Sequence, residues 1–101
     1  MCRRWTGAPF ATLVWFPRDA IVWTGLAASF RASPIAVRTH CAACATPLSL
    51  AYDGRDDIAL TIGSLDNPRS FRPSHHYGVE GRLPWADIGK GLPEKATKER
   101  W

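Results

Sequence analysis

Asp57-Ile58-Ala59-Leu60-Thr61-Ile62 is the stretch that decides the fold. Ile58, Leu60 and Ile62 alternate with Ala59 and Thr61, and a period of two sends successive side chains to opposite faces of an extended chain, so a half-buried β-strand is predicted here. Immediately upstream, Asp53-Gly54 reads as a turn, and before it Pro47 opens a second strand-like run, Leu48–Tyr52. Ser29–Arg31 and Val37–His40 alternate across Ser33-Pro34 and lead into Cys41-Ala42-Ala43-Cys44, which places that tetrapeptide between two strands. Further upstream, Ala11–Phe16 is stopped by Pro17-Arg18-Asp19, and Ile21–Trp23 resumes before Thr24-Gly25, predicting two strands joined by a tight turn. Downstream, Asp66–Pro73 is turn chemistry, His75–Val79 is a last short strand, Pro84–Ile88 is a single helical turn, and the charged Glu94–Arg100 is expected to fray. Short strands separated by eight glycines and eight prolines predict an all-β domain.

Composition narrows the classes. A chain of 101 residues fits one domain, and 46% hydrophobic with 22% charged residues is globular rather than disordered. The longest apolar run, Ala11–Phe16, is broken by Thr12 and falls far below the roughly 18 residues of a membrane-spanning helix, so no membrane partner is expected. Arg3 and Arg4 are followed by Trp5-Thr6-Gly7 and Pro9 where a secretory signal needs a continuous apolar stretch, so no signal peptide is read. The net charge of +4 favours weak association with anions. A domain of this size buries only about 60 to 68% of its unfolded surface, which makes a metal, disulfide or partner a natural supplement.

Three cysteines cannot all pair within one chain, and the C-x-x-C of Cys41 and Cys44 suits a metal knuckle or a redox pair better than a secreted disulfide framework. A reducing, cytoplasmic setting is expected. A turn holding two thiolates at this spacing supplies half of a tetrahedral zinc site. Cys2 is the other thiol and His40, His75 and His76 are the imidazoles, but no spacing joins them to the knuckle, and the adjacent His75 and His76 face opposite sides of a strand. Surface or strand-end roles are the simpler reading for all three histidines. A thioredoxin-like pair belongs at a helix N-terminus, against which the strand-like flanks and Pro47 argue. Arg3, Arg4, Arg18, Arg31 and Arg38 with Trp5, Trp15, Trp23 and Phe30 form a basic-aromatic set of the kind that binds nucleic acid, although aromatics inside apolar strands read first as core. Gly-rich phosphate loops, G-x-S-x-G and H-E-x-x-H are absent.

Four motifs then occur in one order: Met1-Cys2-Arg3-Arg4-Trp5-Thr6-Gly7-Ala8-Pro9-Phe10, Cys41-Ala42-Ala43-Cys44-Ala45-Thr46-Pro47-Leu48, Gly63-Ser64-Leu65-Asp66-Asn67-Pro68, and Arg82-Leu83-Pro84-Trp85 followed by Gly91-Leu92-Pro93. This series closely resembles the glutathione-dependent formaldehyde-activating enzyme family, which includes centromere protein V. The resemblance runs from Cys2 to about Pro93 and implies a mainly β fold, a zinc-bearing β-tent of short antiparallel strands, incomplete at the N-terminus. It implies a zinc domain over 1–93 and a polar tail over 94–101.

The family's activity joins formaldehyde to glutathione, as a carbon-sulfur lyase acting in reverse. By resemblance, Cys41 and Cys44 are the downstream half of a structural zinc site, and Cys2 is the last of three cysteines holding a catalytic zinc. The upstream C-x-C pair and the first two cysteines of the catalytic cluster are missing, so a carbon-sulfur lyase impaired in this chain is expected. Arg3 and Arg4 beside Cys2 are candidates to hold a carboxylate of an anionic thiol substrate such as glutathione. Ser64 and Asp66 resemble a family turn near the site. Ala45 stands where the family usually has glycine, which strains the turn if the position needs φ > 0. The alternative function is a non-enzymatic zinc module binding protein or nucleic acid. Self-association through exposed sheet edges is also expected.

Overall fold

The computed structural model describes residues 1–87 and 89–99. They are mainly antiparallel β with little helix. Two compact bodies form, one from Thr12–Pro68 and one from Met1–Ala11 with the described residues from Arg69 to Glu99.

The first body is an open five-stranded sheet of β1 (Leu13–Pro17), β2 (Ala27–Ser33), β3 (Ala36–Cys41), β4 (Pro47–Tyr52) and β5 (Asp57–Thr61), in the order β1-β5-β4-β3-β2. Every pairing is antiparallel. The hairpins β2-β3, β3-β4 and β4-β5 follow from turn chemistry at Ser33-Pro34, the C-x-x-C segment and Asp53-Gly54, where Gly54 adopts φ 73°. Arg31 closes the first hairpin against the third, its Nη1 lying 2.8 Å from Asp53 Oδ2, and this ion pair holds the Asp53 carboxyl below its ordinary range. Register places Ala36, Arg38, Leu50, Tyr52, Ala59 and Leu13 on one face of the sheet. Ala36, Leu50, Tyr52 and Ala59 form the buried cluster, with Leu13 and Ile35 packed against it. On β5, Ile58 and Ala59 point to opposite faces and both are buried.

Two expectations need correcting. Ile21–Trp23 is not a strand, and β1 pairs with β5 rather than with its own successor. After Pro17, Arg18–Ala20 makes a single 3-10 turn, and Arg18 is tied to the β4-β5 loop. Its backbone N–H donates to Asp56 O (2.8 Å), its Nε to Arg55 O (2.8 Å) and its Nη2 to Tyr52 O (2.9 Å), which directs the chain away from a hairpin. Trp15, Trp23 and Phe30 are not core: they are 39%, 47% and 44% exposed. Trp15 instead stacks on Tyr52 with ring centroids 6.0 Å apart and the Arg55 guanidinium over it.

In the second body, α1 (Cys2–Thr6) is a five-residue helix closed by Gly7 in the left-handed region (φ 69°), whose N–H donates to Arg3 O at 2.7 Å. The expected strand near His75 is present as β6 (His76–Tyr77), paired in parallel with β7 (Glu94–Lys95). Glu94 and Lys95 are therefore ordered by pairing where charge alone predicts fraying, and the Tyr77 hydroxyl also donates to Glu99. Leu83–Ala86 is a hydrogen-bonded turn rather than a helical one, with Ala86 N–H donating to Leu83 O at 3.0 Å. Ile88 and Arg100 lie outside the described residues.

Candidate metal centre at the C-x-x-C turn

Cys41 ends β3 and Pro47 begins β4, so a short connection must bring the chain back in register. It does so with two backbone bonds: Cys41 N–H donates to Thr46 O and Ala45 N–H to Cys41 O, both at 2.9 Å. The return requires one left-handed residue, and Ala45 supplies it at φ 63°, alone among the non-glycine residues described. This matches the strain expected at that position. A left-handed conformation costs an L-residue about 1–2 kcal/mol, of which the greater freedom of an unfolded glycine takes back roughly 0.5–1. Ala45→Gly is therefore expected to stabilise the fold by about 0.5–1 kcal/mol and to raise the melting temperature by a few degrees. A lower melting temperature by calorimetry would show the turn to be unstrained.

The turn leaves Cys44 exposed and Cys41 half-buried, both as free thiols. Cys44 Sγ lies 3.0 Å from Thr46 Oγ1. Hydrogen bonds from the Thr46 hydroxyl, then from the Thr46 backbone and the Cys41 thiol, hold the Cys44 thiol below its ordinary value by favouring the thiolate. Thr61 fixes the far side of the turn, its hydroxyl donating to Pro47 O at 2.7 Å, while the Ser64 hydroxyl donates to Thr61 O at 2.8 Å. Ser64 thus holds Thr61 of β5, which in turn holds the start of the strand after the knuckle, and Asp66 is exposed. Thr46 and Thr61 were not singled out from sequence, because their roles depend on strand register, which spacing does not reveal.

The donor set fits two positions of a tetrahedral zinc site: two thiols on one tight turn, one already favoured as thiolate. Cys2, half-buried on α1, and the exposed Arg3 and Arg4 belong to the other body. His40 packs against Phe30 with centroids 6.2 Å apart, His75 is exposed beside Ser74, and His76 Nε2 lies 2.9 Å from Gly89 O. Among the described residues no group of three His, Cys, Asp or Glu side chains is arranged to hold a metal ion. No described helix is long and apolar enough to cross a membrane.

A search of curated proteins returned no match. The sequence profile of the family described as glutathione-dependent formaldehyde-activating enzyme matches residues 1–80, which include α1, the whole five-stranded sheet and the C-x-x-C turn. The chain belongs to the family of glutathione-dependent formaldehyde-activating enzymes.

Proposed function

We propose that this chain is a zinc-dependent carbon-sulfur lyase-like protein on a β-tent scaffold, acting in a reducing, cytoplasmic setting on the adduct of an aldehyde with glutathione or a related thiol. The family match carries this reading, and the thiolate-favouring turn at Cys41 and Cys44 supports it. In the forward direction the thiol sulfur attacks formaldehyde, a carbon–sulfur bond forms, and the thiol proton ends on the former carbonyl oxygen; cleavage is the reverse. Cys41 and Cys44 would hold a structural zinc, and Cys2 would contribute to a catalytic one. Bound zinc supplies Lewis acidity that favours the thiolate of an incoming thiol and polarises a carbonyl.

The chain's own residues have narrower tasks. Thr46 keeps Cys44 competent as a ligand by donating to its sulfur. Arg3 and Arg4, exposed next to Cys2, hold a substrate carboxylate through charge-assisted hydrogen bonds.

Titration with glutathione followed by NMR, combined with an exchange measurement between formaldehyde and its glutathione adduct, tests the reading. Glutathione binding is expected, weakened severalfold by the double substitution Arg3→Ala and Arg4→Ala. Any acceleration above the spontaneous exchange is expected to vanish in Cys2→Ser. Absence of binding, or catalysis that survives Cys2→Ser, would overturn it.

A further inference from the structure

β2 is one edge of the five-stranded sheet, and its hydrogen-bonding phase can be read from its neighbours. Ala42 N–H donates to Leu26 O at 3.3 Å, so Leu26 and Ala42 are a hydrogen-bonded pair. Antiparallel ladders alternate, so Ala28 with His40 and Phe30 with Arg38 are the next bonded pairs along the register. Ala27, Ser29 and Arg31 therefore direct their N–H and C=O groups away from β3, into the open edge. Of the devices that usually blunt such an edge, the seven residues of β2 lack proline and lysine, and the one β-bulge lies at the far end, between Arg31 and Ser33. Their one charge, Arg31, is held by Asp53 of its own chain. The opposite edge, β1, is shorter and ends in Pro17.

The side chains of this edge are apolar on one face. Leu26, 86% exposed at the entry to β2, is in phase with Ala28 and with Phe30, which is 44% exposed. We infer that β2 is a dimerisation edge whose occupant is the β2 of a second copy of this chain, antiparallel about a two-fold axis at Ser29.

Of the axes that pass through an outward-facing residue, the one at Ser29 makes the sequence self-complementary, and axes through Ala28 or Phe30, which also keep the bonding phase, are separated from it by the cross-linking below. With the axis at Ser29, the outward groups of Ser29 meet those of the second copy's Ser29, and those of Ala27 meet those of Arg31, so every outward residue is bonded. On the apolar face Phe30 lies opposite Ala28, large against small, and Leu26 is the diagonal neighbour of Phe30 across the interface. An axis at Arg31 would set two arginines directly opposite, which is destabilising. An axis at Ala27 would leave the outward groups of Arg31 beyond the pairing. The axis at Ser29 joins two five-stranded sheets into one continuous sheet and closes the edge, giving a dimer rather than a filament.

Sedimentation of the full chain over a wide concentration range is the test, with three variants. A monomer–dimer equilibrium is expected. Ser29→Pro removes an outward N–H that the sheet does not use, so it should raise the dimer dissociation constant at least about tenfold while leaving the β circular-dichroism signal intact. Phe30→Lys, which leaves the ladder untouched, should do the same if the proline variant fails to fold. For register, opposed Ser29 Cα atoms about 5.5 Å apart suit a disulfide, so oxidised Ser29→Cys should form covalent dimers beyond the wild-type background. Ala27→Cys, about four residues out of register with itself, should not. A monomer at every concentration, open-ended aggregation, a dimer indifferent to Ser29→Pro and Phe30→Lys, or equal cross-linking at Ala27 and Ser29 would overturn the inference.

Discussion

Leu50→Ala is expected to remove about 2–5 kcal/mol of stability, the range for deleting a buried leucine side chain when the surroundings collapse only partly into the space. Leu50 is 2% exposed and sits on β4 between Arg38 of β3 and Ala59 of β5, at the centre of the face that also carries Ala36 and Tyr52. Ala36 and Ala59, its fully buried companions, have no volume with which to fill the gap. Typical domains have only about 5–15 kcal/mol in total, so the loss is a large fraction of it. At roughly 4–8 °C per kcal/mol, melting should fall by about eight degrees or more. Leu50→Met conserves volume and should cost less than about 1.5 kcal/mol. Denaturant melts of the two variants against wild type decide it: equal small losses would mean that Leu50 does not anchor the sheet.

Strands β2 to β5 were legible because each is bounded by turn residues whose preference is local: Ser33-Pro34, the Cys41–Cys44 segment, Asp53-Gly54. What was not legible depends on partners. Ile21–Trp23 has the composition of a strand but lacks an adjacent edge, since β1 is taken by β5 and Arg18 is bound to the loop after β4. Strand propensity is silent on pairing. Trp15, Trp23 and Phe30 read as core because apolar residues in strands usually are, yet a small open sheet has too little volume to enclose them. The helix α1 escaped notice because it is five residues long, has no acid in its first turn and no side-chain cap; Gly7 was its single signal. At the site, Cys41 and Cys44 were visible from spacing and the strain at Ala45 from resemblance. Thr46 reaches Cys44 only because the turn bends back by way of that left-handed residue.

Zinc should be held weakly by the 101-residue chain and lost altogether from Cys41→Ser and Cys44→Ser. Structural zinc in small domains is worth about 10–16 kcal/mol at neutral pH, a figure that belongs to closed sites of four ligands. The turn offers two of the chain's three cysteines, and among the described residues no third His, Cys, Asp or Glu is arranged to join them, so most of that free energy would be forfeited. The Thr46 hydrogen bond offsets part of the loss, because a thiol already favoured as thiolate gives up its proton to solvent more readily when a metal binds its sulfur. Thr46→Val should therefore weaken zinc binding further and Thr46→Ser should preserve it. Competition against a chromophoric chelator, with cobalt absorption reporting thiolate ligation, separates these outcomes. Two zinc ions per chain that resist the chelator, or cobalt–thiolate absorption unchanged in Cys44→Ser, would mean that the metal is held by residues other than this turn.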